Sequence, residues 1–424
     1  MAVSPVHKQS AIRTVLAGLI GNVLEWFDFA VFGYFSATIG QQFFPQSSPA
    51  AQQLFAFGAF GIGFFARPVG SIVLGLVGDR IGRRALLTLS ISLMGVATLC
   101  MGLLPTFAQI GVAAPVLLVL MRLVQGFSLG GEFTGSMVYT TEQSSPLMRG
   151  LVSSSTAAGT TIGFILGSAA AWLVNAQLPP DQVSTWGWRI PFIGSVLFLL
   201  VGYLLRRGIS ETPEGVAAAT LRPPLWPSLL GDWRSILQTF GIVAMTNAAY
   251  YLTFAFAVER RKAVAGAHGS EFQLANTLTL FVVLLAKPVG GWLSDIIGRR
   301  RQMLALNVIM LATIYPALRM MLQGTPAEFI WGQVMLAVPI GLALGMQGAM
   351  VVEIFPLRTR VTSMSVAYSM TLALAGGAAP FVSSWIIDTL GHPLWPAYYV
   401  MIYGVLGLAI MWPMTETNTR RLDI

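Results

Sequence analysis

Long apolar stretches alternate with short polar breaks along nearly the whole chain. Twelve such stretches fall near residues 15–39, 54–77, 85–104, 113–138, 151–174, 190–205, 235–258, 274–297, 302–322, 329–352, 362–387 and 396–413. A helix that crosses a bilayer needs about 20 mostly apolar residues, so each stretch predicts one transmembrane helix. The runs are too long for barrel strands and lack their strict alternation. One long polar interruption, 206–234, carries Glu211, Pro213, Arg222, Pro223, Pro224 and Pro227. It predicts a partly helical linker between two sets of six helices. The expected organisation is a tail (1–14), a six-helix bundle (15–205), the linker (206–234), a second bundle (235–413) and a short tail (414–424). The fold class expected is an all-α integral membrane protein.

The two sets carry matching features. Gly75, Asp79, Arg80, Gly82, Arg83 and Arg84 spell G-x3-D-R-x-G-R-R, and Gly291, Asp295, Gly298, Arg299 and Arg300 spell G-x3-D-x2-G-R-R, 216 positions later. Behind each copy a glutamate precedes an arginine by seven residues with a proline between: Glu142/Pro146/Arg149 and Glu353/Pro356/Arg360, 211 apart. Trp188 and Trp395, each ahead of an apolar run, are 207 apart. Three features in one order at nearly one offset identify the halves as copies. Duplicated halves in an apolar chain are the build of secondary transporters, so two pseudo-symmetric bundles are expected.

Composition agrees. Charged residues make up 10% and apolar residues 55%, against roughly 25% and 45–50% in soluble domains. The net charge of +8 is a topology signal rather than a nucleic-acid footprint, because 17 of the 25 Lys and Arg residues fall on one face of the predicted helices. The other face holds Arg189, Arg319 and the cluster Arg260, Arg261 and Lys262. That asymmetry predicts both termini in the cytoplasm. The first apolar run is too long for a cleavable signal and carries Glu25 and Asp28 in its middle. Cys100 stands alone, and His7, His268 and His392 lack metal-ligand spacing. No phosphate loop of the form G-x4-G-K-[ST] occurs, and Gly58, Gly61 and Gly63 lie within an apolar run, where they read as helix packing. No enzyme, metal or cofactor is expected.

Ionisable groups inside spanning helices cost about 2.5–3.5 kcal/mol each and mark function by default. Here they are Glu25 and Asp28 in the first helix, Arg67 in the second, Arg122 and Glu132 in the fourth, and Lys287 in the eighth. Glu25 and Asp28 share a helical face, as do Asn22 and Glu25. Two carboxylates so close in a low dielectric do not both ionise cheaply, which suits one of them to carry a proton. Structural ion pairing is the alternative, since three acids and three bases can neutralise one another. Arg67 and Lys287 sit beside Pro68 and Pro288, where a helix is expected to kink. Glu132 follows Gly130 and Gly131, which favours close packing and a structural pair. Lys287 lies eight residues before Asp295, roughly 12 Å from the helix end. That is farther than its stem can snorkel, so it is expected to face protein or a water-filled cavity and to meet an anion or a carboxylate there. Trp26, Phe27, Phe29, Tyr250 and Tyr251 line a cavity or serve helix packing. Asn247 and Tyr251 are one turn apart, like Asn22 and Trp26.

The G-x3-D-R-x-G-R-R loop resembles the signature of the major facilitator superfamily. Four further segments resemble its metabolite:proton symporter branch: Gly21-Asn22-x2-Glu25-Trp26-Phe27-Asp28-Phe29, Arg67-Pro68-x-Gly70, Arg122-x2-Gln125-Gly126-Phe127-Ser128-x-Gly130-Gly131-Glu132, and Trp186-Gly187-Trp188-Arg189-Ile190-Pro191-Phe192. The resemblance implies the major facilitator fold and uptake of an organic acid, or of proline or betaine, with protons. It implies that Glu25, Asp28 and Arg122 couple protons. A gating network would hold Gly75, Asp79, Arg83, Arg84, Glu142 and Arg149, mirrored by Asp295, Arg299, Glu353 and Arg360. The substrate site expected takes in Arg67, Lys287, Asn22, Trp26, Gln125, Asn247, Tyr250 and Tyr251. Ile296 departs from the pattern where a basic residue is expected. Thr246-Asn247-x2-Tyr250-Tyr251 and Pro396-Ala397-Tyr398-Tyr399 are similar to the proline/betaine carriers, whereas Lys287 and the Arg260, Arg261, Lys262 cluster favour an anion. The expectation is proton-coupled symport of a small organic acid, such as a di- or tricarboxylate, by a monomer in a bacterial inner membrane. Its partners would be protons, the acid and the lipid bilayer, with no nucleic acid. The alternatives are a zwitterionic solute (proline or betaine), a drug efflux antiporter on the same fold, and a non-transporting receptor.

Overall fold

The computed structural model describes residues 11–81, 83–130, 132–142, 144–206, 225–265 and 269–418, with side chains from 22–74, 88–130, 133–142, 144–201, 226–265 and 270–418. The first ten residues, linker residues 207–224, and the side chains of Asp79, Arg83, Arg84 and Glu132 lie outside the described set, as do the surroundings of Gly75.

The principal helices are α1 (Ala11–Tyr34), α2 (Pro49–Ile81), α3 (Arg83–Leu103), α4 (Ala113–Glu142), α5 (Arg149–Gln177), α6 (Arg189–Gly194 continued by Val196–Arg206), α7 (Trp233–Ala265), α8 (Gly269–Ile297), α9 (Arg299–Gln323), α10 (Pro326–Ile354), α11 (Arg360–Leu390) and α12 (Trp395–Met411). Among the described residues, α2, α4, α5 and α7 to α11 are each long and apolar enough to cross a membrane. A ninth crossing is Pro180–Gly187 with the start of α6, bent by 42°. The apolar parts of α3 and α12 are shorter, and α1, of 24 residues, completes the expected twelve.

Packing repeats between the halves as the sequence does. α1 packs on α5 and α2 on α4, while α7 packs on α11 and α8 on α10; α3 meets α6 as α9 meets α12. The crossings are close because glycines line them. A Cβ on Gly126 would sit 1.7 Å from the Gly63 carbonyl oxygen, and one on Gly345 would sit 1.9 Å from that of Lys287. Without a strong hydrophobic drive between helices in lipid, such contacts supply the association energy. The halves meet along α5, which lies against α8 and α10, and along α2, which lies against α11.

α2 and α8 run through Pro68 and Pro288 as single elements. Backbone irregularity lies elsewhere: a π-helical turn at Leu252–Phe256 in α7 and another at Leu372–Gly377 in α11. Helix ends are closed by side chains. Arg189 donates to the carbonyls of Gly102 (2.8 Å) and Leu104 (2.7 Å) at the end of α3. Arg300 does the same for α12 through Met411 (3.2 Å) and Trp412. Gly298, between α8 and α9, has φ +97°, a conformation that only glycine adopts without strain.

Candidate functional site

The charges buried in the first half form two separate pairs. Glu25 lies 2.7 Å from Arg67, and Asp28 lies 3.3 Å from Arg122. The two carboxylates share a face of α1, yet each has its own guanidinium. Their surroundings differ. Arg122 is enclosed within its bundle, with its guanidinium 4.3 Å from the ring centre of Phe29 and 4.4 Å from that of Phe32. It also donates to Gln125 (2.9 Å) and the Phe60 carbonyl (3.3 Å), and Gln125 donates onward to Thr98 (3.0 Å). Gln125, expected at the substrate, instead holds Arg122 from behind.

Arg67 faces the boundary between the halves. Its guanidinium lies 5.6 Å from the Trp26 ring and 5.9 Å from Phe64. Trp26 is ringed by Phe64, Phe133, Phe164 and Tyr251 at centroid distances of 6.4, 6.0, 5.8 and 6.4 Å. Tyr251 comes from α7 of the second half, and Tyr250 beside it meets Phe164 edge to face at 5.0 Å. Tyr251 and Tyr368 both lie within electrostatic reach of Arg67 and Glu25. In this layer Nε and Nη1 of Arg67, Nε1 of Trp26, the Tyr251 hydroxyl and both amide atoms of Asn22 are buried with no hydrogen-bond partner among the described residues. Buried polar groups are ordinarily satisfied. These unsatisfied groups make the layer around Arg67 and Trp26 the candidate site for a polar ligand.

The second half contributes a neutral polar group. Asn247 donates to Gln347 (3.3 Å) and to the Val243 carbonyl (2.9 Å), and the Tyr368 hydroxyl also reaches Gln347 (3.3 Å). Lys287, from α8, crosses to the other half. Its ammonium donates to the Ala157 carbonyl and to the hydroxyls of Thr160 (3.1 Å) and Thr161, all on α5. The expected carboxylate is not among these partners.

The halves touch at both ends of the molecule. At the basic end, Arg299 holds Glu353 through two bonds (2.6 and 2.8 Å) and Asp295 through a third (3.0 Å). Asp295 in turn accepts from the backbone N–H groups of Gly150 (2.9 Å) and Leu151 (3.0 Å), the first turn of α5. Arg360 pairs with Glu142 at 2.5 Å, and Arg149 lies 3.8 Å from Glu353. The two glutamate–arginine repeats thus also pair across the halves, Glu142 with Arg360 and Glu353 with Arg149, while Glu353 is held within its own half by Arg299. Ile296, in the departing position, is exposed. At the opposite end Lys262 bonds both Glu259 (2.7 Å) and the Tyr34 carbonyl (2.9 Å). Ser168 meets Gln273 (2.7 Å), Asn276 (3.1 Å) and Thr277 (2.8 Å), and Asn276 also reaches the Tyr34 hydroxyl (2.8 Å).

Gln347, Tyr368, Ser168, Gln273, Asn276 and Tyr34 were not singled out from the sequence. Gln347 had a signal: an amide in the middle of an apolar run that otherwise reads as lipid- or core-facing. The others lie near run ends, where polar residues are ordinary.

Comparison with known proteins agrees with this architecture. Residues 14–214 match the family model described as "Sugar (and other) transporter", and residues 239–421 match "Major Facilitator Superfamily". The chain is 36% identical to a citrate-proton symporter of Klebsiella pneumoniae over 94% of its own length and 90% of the relative's. It is 31% identical to a proline/betaine transporter of Salmonella typhimurium, over 97% and 84%. The fold superposes with a TM-score of 0.75 on the xylose transporter XylE from E. coli, in a partially occluded, inward-open conformation, at 16% identity and with 97% and 99% of the two chains covered. With full-length relatives of this identity and two repeated six-helix bundles, the chain belongs to the major facilitator superfamily of transporters, in its metabolite:proton symporter branch.

Proposed function

We propose that this protein is a proton-coupled symporter that takes up a small organic acid by alternating access across a bacterial inner membrane. The observation that carries the reading is Arg67: a buried guanidinium with two unengaged donors, beside the unengaged Trp26 indole N–H and Tyr251 hydroxyl. Those donors lie near the boundary between the halves, and a carboxylate accepts charge-assisted hydrogen bonds from a guanidinium. Glu25 occupies one side of Arg67. When a proton reaches the Glu25/Asp28 pair, Arg67 is released toward substrate, and Arg122 responds to the change of charge on Asp28. The basic end is then the cytoplasmic gate, which puts both termini in the cytoplasm, and a monomer suffices because both halves of the site lie in one chain.

The driving force is adequate. One net positive charge moving down about 150 mV yields roughly 3.5 kcal/mol, enough for a gradient of several hundred-fold. An organic acid therefore draws on the potential only when it enters with one proton more than its own negative charges. The test is internal pH in liposomes holding the purified protein. Citrate, 2-oxoglutarate, succinate and shikimate would be set against proline and glycine betaine. Acidification with acids, lost in Asp28→Asn, is the expected result. Acidification with all substrates undiminished in Asp28→Asn would remove Asp28 from coupling.

A second reading has its own support. The ring of Trp26, Phe64, Phe133, Phe164 and Tyr251 resembles the aromatic boxes that hold quaternary ammonium groups by cation–π attraction, and Glu25 would complete such a box. Betaine fits that chemistry, and acidification only with proline or betaine would select it.

A further inference from the structure

The Pro396-Ala397-Tyr398-Tyr399 segment of α12 has no part in the site described so far, yet Tyr399 reaches that site through the backbone of α11. Within the π-helical turn of α11 the Ala378 N–H donates to the Ala373 carbonyl (3.0 Å), five residues back instead of four. In that register the Ala375 carbonyl would accept from residue 380, but Pro380 has no N–H. Leu374 is 43% exposed, on the outer surface of a spanning helix. Lipid offers no donor there, so a freed carbonyl has to be satisfied by protein. Helix α12 supplies the donors. The Tyr399 hydroxyl lies 3.2 Å from the Leu374 carbonyl and 3.4 Å from that of Ala375. The Tyr403 hydroxyl, one turn along, lies 3.2 Å from the Leu374 carbonyl and 3.3 Å from the Tyr399 hydroxyl.

The buried side of the same turn packs on the candidate ligand layer. A Cβ on Gly376 would sit 2.9 Å from the Tyr251 ring, and one on Gly377 would sit 2.5 Å from that of Phe64. The Gly377 carbonyl oxygen itself lies against α2, 3.1 Å from where a Cβ on Gly61 would stand. The rings of Tyr251 and Phe64 meet at 5.5 Å, and both flank Trp26. Close-packed neighbours leave no slack, so a displacement of the turn moves two of the rings around Trp26 and Arg67. Tyr251 is bounded along its own helix as well. The π-helical turn of α7 begins at the next residue, and Gln333 of α10 donates to its Thr253 carbonyl (3.3 Å).

Resting on the proposed ligand layer around Arg67 and Trp26, we infer that Tyr399 and Tyr403 are positioning residues of the site. Their hydroxyls hold the α11 turn in its π register from α12, and the turn seats Tyr251 and Phe64 beside the place a substrate takes. Neither tyrosine touches substrate. They fix the shape of the layer, and the effect falls on substrate affinity rather than on turnover or stability alone.

The experiment uses the full chain in liposomes with citrate and glycine betaine as probes, beside the same protein labelled with fluorotyrosine. The fluorine resonance of Tyr251 is assigned by its loss in Tyr251→Phe. Gly376→Ala, which presses on that ring, shows that the resonance responds. Tyr399→Phe/Tyr403→Phe should shift it and raise the KM of the transported probe by about 2-fold to 10-fold, the size of one hydrogen bond, with little change in maximal rate. Each single variant should do less, since either hydroxyl serves the Leu374 carbonyl. Tyr398→Phe, at a neighbour whose ring meets Tyr315 and Trp395 instead, should change neither readout. An unmoved resonance in the double variant, or a shifted one with an unchanged KM, would overturn the inference. So would a lower melting temperature as the only effect. In each of those cases citrate uptake by wild type would leave the proposed function standing. Uptake of betaine alone by wild type would overturn the carboxylate reading, and the KM for betaine would then decide the inference.

Discussion

Glu25 and Asp28 sit one turn apart on the same helix, yet the residues around them give them different work. Arg122 is locked between Phe29, Phe32, Gln125 and the Phe60 carbonyl, so truncating it strands a buried carboxylate. Removing one partner of such a pair costs about 3–5 kcal/mol. Arg122→Gln is therefore expected to lower the melting temperature of the detergent-solubilised protein strongly, and Asp28→Asn/Arg122→Gln should recover much of the loss. A double variant no more stable than the single one would mean that the pair is not what holds Arg122. Arg67→Gln also strands a buried carboxylate, Glu25, but should in addition raise the apparent KM for the transported acid by about 10-fold or more, since charge-assisted hydrogen bonds contribute about 1.5–3 kcal/mol each. An unchanged KM in uptake assays would exclude Arg67 from substrate contact. At this scale the sequence was informative wherever a charge interrupted an apolar run, because the cost of burying it leaves few reasons for it to be there. It was silent on which acid meets which base, since that depends on helix rotation and on neighbours far along the chain. The bond from Arg122 to Gln125 is hidden for the same reason, and Asn276 and Ser168 leave no mark because uncharged polar residues cost little in a helix.

The helices themselves were legible from apolar run lengths, and their duplication from the spaced repeats. Their crossings were legible only in part. Glycines announced close packing but not the partner, and some join different halves. A Cβ on Gly291 would sit 2.4 Å from the Gly150 carbonyl oxygen, and one on Gly150 would sit 2.4 Å from that of Gly291. These crossings have different consequences. Gly126→Ala, at the crossing of α2 and α4 within one half, should lower thermal stability. Gly291→Ala, at the crossing of α5 and α8, should instead wedge the basic end apart. A cysteine placed near Gly150 should then react with a membrane-impermeant maleimide in inside-out vesicles several-fold faster than in the parent. An unaltered labelling rate would show that this crossing bends to accept a methyl group. The π-helical turns of α7 and α11 left no mark in the sequence, because an extra residue in a turn does not disturb hydropathy.

The halves of the molecule touch at both ends, and the two sets of contacts differ in chemistry: ion pairs and a helix cap at the basic end, neutral hydrogen bonds around Ser168 and one lysine–carbonyl contact from Lys262 to Tyr34 at the other. Ser168 and Thr277 lie with their hydroxyls 2.8 Å apart across the halves. In a Cys100→Ser background, cysteines at 168 and 277 should cross-link on oxidation, abolish uptake and release it on reduction. Uptake that survives complete cross-linking would mean that this end need not open. The repeats in the sequence forecast two halves but not that each glutamate would pair with the other half's arginine, Glu142 with Arg360 and Arg149 with Glu353. That exchange follows from the pseudo-two-fold relation between the copies, which brings equivalent loops face to face.

Asp295 has a consequence that reaches the energy economy of the cell. Its carboxylate seats the first turn of a helix belonging to the other half, where a cap contributes about 0.5–2 kcal/mol. On the proposed orientation, opening toward the cell interior strips that cap and parts the Glu142–Arg360 contact before substrate is delivered. Each 1.4 kcal/mol lost this way lowers the open population about tenfold. That cost, on the proposed orientation, holds an empty carrier shut toward the cell interior and keeps protons alone from dissipating the gradient.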